Sequence, residues 1–324
     1  MTKKSPSRDE VRQNRRERFF ARQIFELRVR RAKGEAFQEL FNAVLQLRYP
    51  DFIPMRPYGD VGDRKNDGYL RNSGTFFQVY APRDPTKSIA QAAKKAQDDF
   101  AGLYSHWNTT HTVRAYRFAF NDEYGGSVVP IEDALAAISQ ANSIPTQVFL
   151  AKDLETEAFE LPMDKLERIL DTLLPDPGEI ADADYDAVRA VISHVMHSDA
   201  PNPRAGKLLA PDFTTKLQFN ALSEYNADLL RVAARQSDVV GNFFSNRSGT
   251  HRQDLRDHLA EIYAHARQRA QKSRATADIV FVDILEAMQP PSRKNDRQIQ
   301  NAALIVMAYY FEACDIFEAP DAST

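Results

Sequence analysis

The sequence predicts an α+β protein: a mixed α/β layer reaching about residue 155, followed by a part built only from helices. Three observations predict it. Between Phe52 and Ala151, short aromatic and β-branched runs interleave with stretches of helical periodicity, in the order strand, hairpin, helix, strand, helix, strand. From residue 212 onward, apolar residues recur at helical spacing. Between the two, Ser198 to Pro211 holds three prolines and a glycine and reads as a linker.

The elements follow in order. Residues 1–7 are expected to be disordered, and Arg8 to about Arg31 is helical, with Phe19, Phe20, Ile24, Phe25 and Leu27 forming an apolar stripe among arginines. Gly34 interrupts it. A second amphipathic helix, Glu35 to Leu47, carries Phe37, Leu40, Phe41, Val44 and Leu45, and stops at Tyr49-Pro50 because proline disfavours α for its predecessor. A strand near Phe52–Arg56 leads into a polar loop with Asp60, Asp63 and Asp67. Strands Gly68–Leu70 and Thr75–Ala81, joined by Arg71-Asn72-Ser73-Gly74 and closed by Pro82, have hairpin chemistry. A helix from about Ser88 to Asn108 carries Lys94 and Lys95. Val113 to Asn121 alternates and predicts a buried edge strand, followed by a helix over Ile131–Ala141 and a strand over Thr146–Ala151.

Leu161-Pro162 opens a helix to about Leu174, the breaker Pro175-Asp176-Pro177-Gly178 ends it, and another helix finishes near His197. Thr214–Arg235, Val239–Asn246, Arg252–Lys272, Thr276–Met288 and Arg297–Phe317 complete the chain as helices. The expected organisation is a basic helical arm (1–33), an α/β domain (34–175), a linker with one helix (176–211) and a helical C-terminal domain (212–324).

Composition narrows the function classes. With 324 residues, 43% hydrophobic and 27% charged, the chain has room for about two globular domains. No apolar run approaches the ~20 residues that span a bilayer, and no apolar segment follows the basic N-terminus, so a cytoplasmic location is expected. The single cysteine, Cys314, excludes an internal disulfide framework and reads as a buried thiol. There is no G-x-x-x-x-G-K-[ST] loop, so no ATP hydrolysis through a P-loop is expected. Charge is unevenly spread: residues 1–33 hold 12 Lys and Arg against 4 Asp and Glu, leaving 42−12 = 30 against 45−4 = 41 for the rest. Such an arm, with Arg12, Arg15, Arg16 and Arg22, meets nucleic acid or an acidic partner surface, or serves as a solvated helix.

The hairpin is the candidate site. It puts Asp67 and Gln78 on neighbouring strands, and an acidic residue opening one strand with a polar residue inside the next is a way to hold a divalent ion for phosphodiester chemistry. The alternative is a loop capped by its own aspartates. Other clusters read as structural: His194 with His197, the seven-residue series His251, His258 and His265, and Asp153 with Glu155, which begin a helix.

The phrase G-D-R-K-N-D-G-Y…F-Q-V-Y-A-P resembles the core of restriction-endonuclease-like PD-(D/E)xK nucleases in their Mrr-like form, where glutamine replaces the usual acid. That resemblance implies a restriction-endonuclease-like core, Asp67 and Gln78 as ligands of Mg²⁺ or another divalent cation, and Glu35 or Glu39 supporting them, with Glu39 preferred. The family's lysine position holds Tyr80, so the cation is expected from Lys94, Lys95 or Lys65, with Lys94 taken as the catalytic choice. The same phrase and Tyr309–Glu318 (Y-Y-F-E-A-C-D-I-F-E) resemble proteins of bacterial ABC-three-component, Lamassu-like anti-phage defence systems. This implies DNA, an ABC/SMC-like ATPase and a further subunit as partners, with oligomers among the outcomes. It leaves two functions open: a metal-dependent DNA endonuclease, or an inactive adaptor.

Overall fold

A computed structural model describes residues 8–57, 63–180, 184–197, 213–245, 249–312 and 316–318. Residues 1–7, Asp60, the expected linker Ser198–Pro211 and Cys314 lie outside these residues. The chain divides into two compact units, Arg28–Leu170 and a second that joins residues 1–27 to residues 171–324. The division falls inside helix α1 (Arg8–Arg31).

The first unit is built on a five-stranded sheet of order β1-β2-β3-β4-β5. The strands are β1 (Phe52–Pro54), β2 (Gly68–Leu70), β3 (Thr75–Tyr80), β4 (Ala115–Phe120) and β5 (Thr146–Phe149). The first three form an antiparallel meander, whereas β3, β4 and β5 run parallel. Parallel neighbours need crossovers, supplied by α3 (Ile89–Trp107) and α4 (Val129–Asn142), which pack on each other. The sequence places the β4 segment at a buried edge. It lies instead inside the sheet, between β3 and β5, which is why Tyr116, Phe118, Ala119 and Phe120 are all buried.

Strand alternation separates two cores. On one side Phe77 meets Phe41 of α2 (Glu35–Arg48), Phe52 of β1 and Phe149 of β5, with ring centroids 5.4–6.1 Å apart. On the other side Phe76 and Tyr80 join Tyr69, Phe100, Tyr116, Phe118 and Phe120 under α3 and α4. Gln78, between Phe76 and Tyr80 in the alternation, faces this second side. Gly68 is required by packing, because a Cβ there would lie 2.5 Å from the Phe52 ring. Helices α5 (Ala151–Phe159), where Asp153 does begin a helix, and α6 (Met163–Leu170) finish the unit.

The second unit is helical: α7 (Tyr185–Met196), α8 (Phe213–Phe219), α9 (Glu224–Ala234), α10 (Asp238–Ser245), α11 (Gly249–Ser273), α12 (Ala277–Ala287) and α13 (Arg297–Glu312). The single helix expected over Thr214–Arg235 is two. The chain turns at Ala221, with φ 50°, and Ser223 caps α9 by accepting from Asn226 N–H. Helix α13 is buried nearly all round and packs on α7, α9, α10 and α12, as expected of a helix apolar on every face. The N-terminal part of α1 belongs to this core: Phe20, Ala21, Ile24, Phe25 and Leu27 are at most 3% exposed. Among the described residues no helix is long and apolar enough to cross a membrane.

Candidate metal and phosphate site

Asp67 ends the turn that feeds β2. The register of the β2–β3 pair ends with Gly68 opposite Phe77, one residue after Asp67. Asp67 N–H donates to Phe77 C=O at 3.1 Å, one step out of that register. Its carboxylate Oδ2 accepts from Val79 N–H at 2.6 Å, and Oδ1 accepts from Gln38 Nε2 at 2.9 Å. Burial, the largest influence, pushes this carboxyl up to about 6. The Val79 hydrogen bond and the Lys95 charge oppose that rise, and the Asp63 and Asp99 charges add to it.

Gln78 is 5% exposed, and its Oε1 is a buried acceptor with no hydrogen-bond partner among the described residues. Buried polar atoms are normally satisfied, so an orphaned amide oxygen on β3, one residue from the Val79 N–H that binds a desolvated carboxylate, adds an oxygen of the kind a hard cation takes. The residues therefore fit a divalent ion at the chemical level. Among the described residues no group of three or more His, Cys, Asp and Glu forms a metal cluster, so the candidate rests on one carboxylate and one amide oxygen.

Three expected partners sit elsewhere. Glu39 is exposed; the residue of α2 that meets Asp67 is its neighbour Gln38, about 100° away around the helix. Glu35 is exposed as well. Lys94 points outward and pairs with Asp98 at 2.7 Å, with both side chains more than half exposed. Lys95 is the lysine of α3 that turns inward. It pairs with Asp99, lies 5.8 Å from the Tyr80 ring centroid and is close enough to affect Asp67 electrostatically. Tyr80 stacks on Phe120 and packs against Phe118, so its ring is part of the core.

Asp99 is a site residue that the sequence reading misses. It is 3% exposed and receives Lys65 Nζ on Oδ1 at 3.0 Å as well as Lys95 on Oδ2. The Asp99 hydrogen bond, ahead of its charge, raises the Lys65 ammonium. The Tyr116 hydroxyl is raised well above its ordinary value by burial first, then by the charges of Asp99 and Asp67. The available sequence signal is the i, i+4 spacing of Lys95 and Asp99.

The arginines of α1 divide. Arg16 is committed to Asp228 at 3.2 Å and lies 6.0 Å from the Tyr225 ring centroid, so it is not held out for phosphate. Arg15 and Arg22 are exposed, and the side chain of Arg12 lies outside the described residues. The histidine series on α11 does not share one environment: His258 is buried, whereas His251 and His265 are exposed, His265 pairing with Glu261 at 3.2 Å.

No curated protein and no solved structure matches the chain significantly. Residues 186–318, less than half of the chain, match the family described as C-terminal domain 10 of the ABC-three component (ABC-3C) systems. The match runs from α7 to the last described residues and leaves the α/β unit outside it. It supports placing the chain among components of ABC-three-component systems.

Proposed function

We propose that this protein is the nuclease-like component of an ABC-three-component anti-phage system, and that its α/β unit cleaves DNA with the aid of a divalent cation. The observation that carries the reading is the unpartnered, buried Gln78 Oε1 on β3, one residue from the Val79 N–H that holds the desolvated carboxylate of Asp67. The α-β-β-β-α-β order from α2 to β4 accords with a restriction-endonuclease-like core. Asp67 and Gln78 would hold Mg²⁺, which when bound neutralises phosphate charge and lowers the pKa of a bound water. Lys95, arriving from α3, replaces the lysine that Tyr80 displaces from β3, and its ammonium offsets charge developing on a phosphate. The helical unit, over the part that matches the ABC-3C domain, docks the other subunits of the system, an ATPase among them.

A second reading is favoured by one observation: Tyr80, at the family's lysine position, is packed into the aromatic core. On that reading the chain is an adaptor that keeps the fold without cleavage. Nicking of supercoiled plasmid in Mg²⁺ or Mn²⁺, by the full chain alone and with its system partners, decides between them. Cleavage abolished in Asp67→Ala and Lys95→Ala supports the nuclease. No cleavage by the wild type under any divalent ion, with partners present, leaves the adaptor.

A further inference from the structure

Two ammonium groups from different elements converge on one buried carboxylate. Lys65 comes from the turn before β2 and Lys95 from α3, and both bind Asp99, one on each oxygen. The carboxylate is sealed, with 4% of its side chain exposed, whereas 56% of the Lys65 and 31% of the Lys95 side chain remain open. An ammonium has three donors. Each lysine therefore keeps N–H groups to offer to solvent or an anion, and the cluster carries one net positive charge.

The turn is shaped for this contact. Arg64 and Lys65 adopt φ 55° and 63°, a left-handed conformation that costs non-glycine residues free energy. Lys65 N–H donates to Asp63 Oδ1 at 2.8 Å, and fully buried Asn66 accepts from Gly68 N–H at 3.0 Å, holding the turn closed. On α3, Gly102 leaves room for the Lys65 stem, since a Cβ there would lie 3.0 Å from Lys65 Cγ. A half-exposed ion pair returns little stability, so stability alone does not account for two strained residues and a glycine devoted to placing Lys65. The cluster lies beside the candidate site: Asp67 feels both Lys95 and Asp99, and Tyr80 beneath Lys95 is two residues from Gln78 on the same side of the sheet.

We infer that Asp99 is a positioning residue that sets Lys65 and Lys95 as a two-ammonium clamp on consecutive phosphates of a nucleic-acid backbone. Lys95 takes the phosphate addressed by Asp67 and Gln78, and Lys65 takes its neighbour. The inference rests on the nucleic-acid reading proposed above.

The test is binding of a duplex DNA oligonucleotide to the full chain in Ca²⁺ over a range of salt. Each phosphate that is no longer neutralised lowers the slope of log K against log salt by about 0.9. Lys65→Gln and Lys95→Gln are each expected to lower it by about 0.9, and the outward-facing Lys94→Gln, with the same charge change, to leave it unchanged. Asp99→Asn is the decisive variant. It removes a negative charge, so electrostatics alone predicts tighter binding, whereas loss of positioning predicts weaker binding and a slope lower by up to about 1.8. If wild type binds and Asp99→Asn binds equally or more tightly, or if Lys65→Gln leaves the slope where it was, the clamp is wrong while the nucleic-acid reading stands. If wild type binds no DNA, that reading fails and the clamp with it. Exposed Lys65→Gln keeps the test open should Asp99→Asn not fold.

Discussion

The Asp67 carboxylate bridges two strands: Oδ2 takes the Val79 N–H at 2.6 Å while the Asp67 backbone N–H binds Phe77 C=O at 3.1 Å. One side chain thus closes the open end of the β2–β3 pair, and does so while burying a carboxylate whose pKa rises to about 6. In the unfolded chain the same group titrates near 3.8, the ordinary value. The folded state then binds the proton more readily than the unfolded one. Stability gains as pH falls from 7 through 6 toward 4, and the ionised carboxylate costs at most about 3 kcal/mol above pH 6. Asp67→Asn should remove this component, so the wild-type-minus-variant difference in denaturant midpoint should shift in favour of the wild type between pH 7.5 and pH 5. Divalent-ion affinity, measured by calorimetry, should fall as pH drops through 6 because the proton competes for the same oxygens.

Gln78 gives a second expectation. Its buried Oε1 has no partner among the described residues, and a buried unsatisfied acceptor costs about 1–3 kcal/mol. Gln78→Met keeps the volume and removes the acceptor, so it should raise unfolding free energy by about 1 kcal/mol while abolishing divalent-ion binding. A variant that is less stable than wild type would show that Oε1 is satisfied in the native protein.

The hairpin was legible because turn chemistry and alternation agree: Asn72 and Gly74 sit between β2 and β3, and Gly74 takes φ 67° where a Cβ would strike Thr112 C=O at 2.7 Å. Helical phase was not legible to one residue. The sequence favours Glu39 and Lys94, yet the side chains that meet the site belong to Gln38 and Lys95, because neighbouring helical residues point 100° apart and only tertiary packing chooses between them. Asp99 was hidden for a related reason. In the run Gln97-Asp98-Asp99-Phe100 two acids look alike, yet Asp98 faces solvent and Asp99 is sealed by two lysines that are distant from each other in sequence.

In the helical unit, Lys216 is 1% exposed and donates to Phe311 C=O at 2.7 Å and Ile316 C=O at 2.6 Å, with its ammonium 4.5 Å from the Phe311 ring centroid. It satisfies the Phe311 carbonyl at the end of α13, where backbone acceptors lack intrahelical partners, and the Ile316 carbonyl beyond it. Lys216→Met should leave those acceptors bare and lower stability by about 2–4 kcal/mol, read from denaturant unfolding followed by circular dichroism. A loss under about 0.5 kcal/mol would mean that water replaces the ammonium there.

The fate of α1 tests how the second unit is put together. Phe20 is 1% exposed and meets Tyr225 of α9 edge-on, with centroids 5.8 Å apart, and Gln23 accepts from Asn226 Nδ2 at 2.9 Å. These contacts make this stretch of α1 part of the helical core. Phe20→Ala should therefore cost about 3–5 kcal/mol, whereas exposed Arg15→Ala should stay within about 0.5 kcal/mol. The single tryptophan, Trp107, lies in α3 of the α/β unit, so its emission reports that unit while far-UV circular dichroism is dominated by helices. Phe20→Ala should move the circular dichroism transition to lower denaturant by more than it moves the Trp107 transition. Equal shifts in both would show that the two units unfold as one, and no shift in either would show that the N-terminal helix contributes nothing to the helical core.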